Sequence, residues 1–123
     1  MIMAREFTKS DEEQIINMVN EIKEYGGITI DIEGRTISVD GKQVEFSLRE
    51  YELLKYLLEN EKIALSRDKI LNNVWNYDYY GDSRTIDSHI KKIRHKLGKK
   101  GKYIETVRGI GYKFEVKWYE KFE

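Results

Sequence analysis

Residues 84–97, RTIDSHIKKIRHKL, decide how the rest of this chain is read. Ile86, Ile90, Ile93 and Leu97 recur at spacings of four, three and four, the period of one helix face. Ser88, Lys91, Lys92 and His95 fall on the opposite side, with Arg94 and Lys96 on the flanks. Such a helix is anchored by aliphatic carbon and turns ammonium and guanidinium groups outward. What those cations meet has to come from the surrounding sequence.

Charge gives the first indication. The 123 residues carry 22 Lys and Arg against 22 Asp and Glu, a formal net charge of zero. Between Arg84 and Lys117, however, eleven Lys or Arg face only three acids, Asp87, Glu105 and Glu115. The rest of the chain holds the matching negative excess. Neutrality overall is therefore compatible with a polyanionic partner for one part of the chain. The length suggests one domain with a short appendage, and 40% hydrophobic residues can supply its core. Cysteine is absent, which excludes disulfides, thiolate zinc sites and a cysteine nucleophile. No apolar stretch approaches the roughly 18–20 residues that cross a bilayer. The opening MIMAREFTKSDEEQ lacks the apolar segment of a secretory signal. A cytoplasmic protein with no membrane partner is the simplest expectation.

Along the chain, SDEE at 10–13 is a capping box, and Ile15, Met18, Val19 and Ile22 follow at helical spacing. They predict an amphipathic helix over 11–24 that stops at Tyr25-Gly26-Gly27. Its apolar stripe must pack on the rest of the chain or on a second copy, as a homodimer. Residues 28–46 alternate apolar and polar side chains, with turn signals at Glu33-Gly34 and Asp40-Gly41. They predict three antiparallel strands whose apolar face (Ile28, Ile30, Ile32, Ile37, Val39, Val44, Phe46) needs a cover of helices.

Ser47 and Glu50 form a second capping box, opening a core-facing helix over 47–60 with Tyr51, Leu54, Leu57 and Leu58 inward and Leu48 and Leu53 at the edges of the stripe. IALS at 63–66 is an extended connector or minor strand, after which Ser66 caps a helix with Ile70, Leu71, Val74 and Trp75 inward. NYDYYGD at 76–82 reads as a loop. The basic helix follows, capped by Asp82 or Ser83 and ended at Gly98. Residues 103–116 then form two strands joined at Gly109–Gly111, with Arg108 near the tip.

A capped helix, a connector, a later basic helix and a hairpin match helix-turn-helix logic. The last helix enters a DNA groove roughly 12 Å wide, and the hairpin sits where a wing would reach the next stretch of backbone. Lys and Arg suit this work because duplex DNA carries one negative charge per ~1.7 Å of axis.

TIDSHIKKIRHKLG followed by YIETVRGIGYKF resembles the effector domain of OmpR/PhoB-type response regulators, over residues 28–116. The resemblance implies an α+β fold: a winged helix-turn-helix with an N-terminal antiparallel sheet and a C-terminal β-hairpin wing, here preceded by one extra N-terminal helix. It divides the chain into an appendage at 1–27, a DNA-binding domain at 28–117 and a tail at 118–123. It implies sequence-specific binding of double-stranded promoter DNA in a two-component system, often as head-to-tail dimers. Carried over by position, Ser88, Lys91, Lys92 and His95 would meet base edges and nearby phosphates. Arg84, Thr85, His89 and Arg94 would touch phosphates or support the helix. Arg108 matches the family's minor-groove arginine, and Thr106 and Tyr112 match wing residues near phosphates. The loop 76–82 resembles the segment that contacts RNA polymerase in some members. Family members often carry Arg where this chain has Lys91 and Lys92, and lysine lacks the guanidinium fork for bidentate guanine contacts. Residues 4–25 resemble the tail of a receiver domain, with Arg5-Glu6-Phe7 loosely matching its K-P-F segment. The phosphate-accepting aspartate would lie upstream, so the sequence reads as a fragment or as a regulator without that switch.

Other chemistry is poorly supported. His89 and His95 lie six apart, not at the i, i+4 spacing of a helical metal pair, so no metal or cofactor is expected. Gly109-Ile110-Gly111 reads as a tight turn rather than a nucleotide loop. No Ser, His and Asp are ordered as a nucleophile with its base, so no enzyme is expected. Trp75 and Trp118 read as core or lid aromatics, and the tyrosines at 77, 79 and 80 as a tucked loop or a docking surface. Two alternatives stay open: a module docking its basic helix on an acidic protein partner, and an RNA-binding winged helix.

Overall fold

The computed structural model describes residues 22–75 and 83–117. The alternating run becomes an antiparallel sheet of strands β1 (Ile22–Tyr25), β2 (Ile28–Asp31), β3 (Thr36–Val39) and β4 (Lys42–Val44), ordered as in the chain. Asp40 and Gly41 make the two-residue turn between Val39 and Lys42, with φ of 50° and 84°. Ile28, Ile30 and Ile37 are buried from one face, with Ile32, Val39 and Phe46 packed partly against them.

Strand β1 corrects the helix expected over 11–24. Its Ile22–Tyr25 segment pairs with β2, Ile22 opposite Asp31 and Tyr25 opposite Ile28. The glycines taken as a helix stop instead form a two-residue hairpin turn, with φ of 58° at Gly26 and 92° at Gly27. Ile22, the last member of the expected stripe, is 54% exposed, whereas Tyr25 packs edge-on against Phe114 at 6.1 Å. The sheet thus begins at Ile22, not Ile28. The remainder of that expected helix, and the loop 76–82, lie outside the described residues.

Helix α1 (Leu48–Glu59) opens with the expected reciprocal cap. The Glu50 amide donates to Ser47 Oγ at 3.2 Å, and the Ser47 amide donates to Glu50 Oε1 at 2.8 Å. Its buried face holds Tyr51, Leu53, Leu54, Leu57 and Leu58, while Leu48 is 61% exposed. Strand β5 (Leu65–Ser66) leads into α2 (Arg67–Val74), whose Lys69 amide donates to Ser66 Oγ at 3.0 Å. Helix α3 (Arg84–Leu97) buries Ile86, Ile90, Ile93 and Leu97, each at most 2% exposed. Ser83 takes its N-cap position but makes no side-chain capping bond.

A 3₁₀ segment (Gly98–Tyr103) carries the chain into the hairpin of β6 (Ile104–Val107) and β7 (Gly111–Phe114). Strand β7 pairs with both β6 and β5, giving a three-stranded sheet in the order β5-β7-β6. Gly109 at the tip takes the expected positive φ, 79°. Gly111 is required for a different reason, because a Cβ there would lie 2.1 Å from the Leu65 carbonyl oxygen of β5. The architecture is the α+β winged helix, with both sheets and, among the described residues, three α-helices around one core. Replacing Gly111 with Ala should force β5 off β7 and cost about 1–3 kcal/mol, seen as a lower thermal midpoint by circular dichroism.

Candidate nucleic-acid interface

The buried aliphatic stripe fixes which side of α3 faces outward. Ser88, Lys91, Lys92 and His95 are all exposed, and with Lys96 they line one open depression. Each aliphatic side chain turned inward contributes about 1.5–3 kcal/mol. That outweighs the repulsion of placing cations side by side on a surface.

Arg94, on the flank of α3, ties the hairpin to this helix. Arg94 Nε and Nη2 donate to the Ile104 carbonyl at 3.0 and 2.7 Å, and Nη2 also donates to Thr106 Oγ1 at 3.0 Å. Arg94 therefore acts as a strut between α3 and β6. Thr106 remains exposed, and Arg108 is exposed at the tip. Tyr112 is 4% exposed, and its hydroxyl donates to Asp87 Oδ1 on α3. Burial, followed by that bond to Asp87, pushes the Tyr112 phenol above its ordinary value and keeps it protonated.

His89 is half-buried, edge-on to Trp75 with ring centroids 5.2 Å apart. Its Nδ1 lies 2.8 Å from the Thr85 carbonyl, so Nδ1 is the donor and Nε2 is left for other partners. Thr85 is half-buried at the start of the helix and Arg84 is exposed.

Cations of this region fall into two groups. Lys113 pairs with Glu105 at 3.5 Å and Glu115 at 3.2 Å, and Lys117 pairs with Glu105. Lys100 approaches Asp40 at 3.7 Å, and Lys96 reaches Glu50 at 2.5 Å. Lys91, Lys92 and Arg108 make no ion pair with any described residue. Unpaired cations held together on one surface are poised for an external anion.

Two participants escaped the sequence reading. In sequence, Asp87 is only an acid in a basic stretch, and Arg67 only the first residue of a helix. Asp87 Oδ1 accepts from Arg67 Nε at 3.0 Å as well as from Tyr112. A lone acid inside a basic motif was a visible signal for Asp87; nothing marked Arg67, twenty positions upstream.

The family model described as transcriptional regulatory protein, C terminal, matches residues 41–114. The chain belongs to that family. It is 39% identical over 101 residues to the transcriptional regulatory protein SrrA of Staphylococcus aureus, covering 79% of this chain and 42% of SrrA. It superposes on the Klebsiella pneumoniae RstA DNA-binding domain in complex with the RstA box with a TM-score of 0.68 at 30% identity, covering 76% of this chain and 96% of that one. Against the response regulator DrrB, a Thermotoga maritima OmpR/PhoB homolog, the TM-score is 0.72 at 28% identity, covering 85% of this chain and 49% of DrrB. The chain thus spans less than half of SrrA or DrrB. The family is one of transcription regulators rather than enzymes. Among the described residues, no helix is long and apolar enough to cross a membrane.

The Lys96–Glu50 contact also joins α3 to the cap of α1. Burial alone would raise the Glu50 carboxyl, but hydrogen bonds from Lys96 and Ser47 outweigh it and hold the group below its ordinary value. Stabilisation from a lowered carboxyl is complete above the unfolded-state value and is lost as pH falls through the folded one. Glu50→Gln should lower the thermal midpoint at neutral pH and flatten its decline between about pH 7 and about pH 3, measured by thermal melts across that range.

Proposed function

We propose that this chain is a sequence-specific, double-stranded DNA-binding transcriptional regulator of the response-regulator type. One observation supports the reading: Lys91 and Lys92 are exposed on α3 without an ion pair to any described residue, and Arg94 of the same helix ties the wing strand β6 to it. Helix α3 lies in the major groove, where Ser88, Lys91, Lys92 and His95 meet base edges and phosphates. Arg108 enters the adjacent minor groove. Arg84, Thr85, His89 and Thr106 lie at the edges of this surface, near the phosphates. Arg94 and Tyr112 serve chiefly to hold the wing, since their polar groups already bond to Ile104, Thr106 and Asp87. The likeness to the RstA domain, crystallised with its box, supports this reading over docking on an acidic protein or binding RNA.

The unit responsible runs from 22 to 117, because β1 is part of its sheet, with 1–21 as an appendage and 118–123 as a tail. The same reading assigns RNA polymerase contact to loop 76–82, pairs two copies on DNA, and places the protein in the cytoplasm with the chromosome.

Selection of bound sequences from random duplex DNA tests the proposal and should return one enriched motif that resists random competitor. A domain built for a protein partner would enrich nothing. Lys92→Ala should then lower discrimination among sites, costing about 1–3 kcal/mol on the selected site, measured by fluorescence anisotropy. Arg108→Ala should weaken binding most where an A·T-rich minor groove is narrow. Equal losses on every duplex for both variants would contradict this division of roles.

A further inference from the structure

The DNA-facing helix carries one carboxylate, Asp87, on the same element as Lys91, Lys92 and Arg94. A carboxylate near a phosphate surface opposes binding, so its presence calls for another task. Its Oδ1 is taken by two donors from different elements, Arg67 Nε of α2 and the Tyr112 hydroxyl of β7. Two guanidinium groups lie over the Tyr112 ring, Arg67 at 5.3 Å and Arg94 at 5.6 Å from its centroid. Arg94 continues into β6 through Ile104 and Thr106. The Arg67 backbone amide reaches the Ile110 carbonyl at the hairpin tip, at 3.4 Å. Asp87, Tyr112, Arg67 and Arg94 thus add directional polar links between α3 and the hairpin to the covalent link, β5 and the shared core packing.

On the strength of the DNA-binding reading above, we propose that Asp87 is a specificity-determining positioning residue. It touches no base. By holding Tyr112 and Arg67 together, it fixes the offset between the major-groove face of α3 and the Arg108 tip. DNA is read at two places whose separation is set by the duplex, so a loosened wing can still find phosphate but no longer meets one chosen step of the minor groove. The arrangement is electrostatically self-consistent. The Arg67 guanidinium pairs with the Asp87 carboxylate at 3.0 Å and offsets its charge.

The distinguishing consequence is a split between two kinds of specificity. Wild-type protein, Asp87→Ala and Tyr112→Phe are compared by anisotropy on three duplexes: the selected site, that site with its wing-side A·T pairs changed to G·C, and that site with one major-groove base pair changed. A random duplex gives the non-specific baseline. The wild type should lose roughly tenfold on each altered site. In both variants the wing-side penalty should shrink to less than about twofold while the major-groove penalty persists. Binding of random duplex by Asp87→Ala should hold or strengthen, because a negative charge has been removed.

A wing-side penalty retained by either folded variant overturns the proposal. So does a parallel fall of all affinities, which would mark Asp87 as a folding residue only, and so does a wild type without any wing-side penalty. Tyr112→Phe keeps the ring and its packing, so it decides the matter if Asp87→Ala melts below the assay temperature. Failure of the wild type to shift any duplex would overturn the DNA-binding reading itself and this inference with it.

Discussion

Everything on the outer surface depends on the burial of four aliphatic side chains of α3: Ile86, Ile90, Ile93 and Leu97. A short isolated helix bearing neighbouring lysines would be marginal in water, because nucleation is costly and like charges repel. Packing against α1, α2 and the hairpin supplies what local propensity cannot. Since those four residues fill one face, the rotation of the helix about its axis leaves no choice, and Lys91 and Lys92 must point to solvent. The exposed cationic face is thus a consequence of how the core is filled.

The wing adds a second constraint of a different kind. Hydrophobic burial is non-directional and would allow the hairpin to slide by an ångström or more, whereas hydrogen bonds from a planar guanidinium impose direction. Arg94 makes three of them to two residues of β6, and the Asp87 cluster holds β7. Pairing also sorts the cations. Those neutralised by Glu105, Glu115, Glu50 or Asp40 brace the scaffold, whereas Lys91, Lys92 and Arg108 pair with no described residue and stay exposed.

Legibility from sequence followed the range of the interaction. The stripe of α3, the Ser47–Glu50 cap and the Asp40-Gly41 turn are each written within about one or two turns of chain, and each was readable from spacing alone. Strand β1 was misread because Ile22 sits in phase with Ile15, Met18 and Val19, so helical periodicity extended into a segment where pairing with β2 prevails. Gly26-Gly27 suits a helix stop and a hairpin turn equally well, and only the partner strand separates them. The outward residues of α3 followed from its stripe. Tyr112 came from family resemblance, which places a residue in the chain but does not say that its hydroxyl is already engaged. The Arg67–Asp87 pair spans two helices and has no periodic signature at all.

The rims of the N-terminal sheet have a consequence for behaviour at high concentration. Strand β1 has four residues and exposes the charged Glu24, and β4 has three, of which Lys42 and Gln43 are exposed. Rims so brief offer another molecule few backbone partners, although Ile22 exposes an apolar side chain on β1. Brevity at both rims thereby limits how far the sheet can grow sideways from copy to copy.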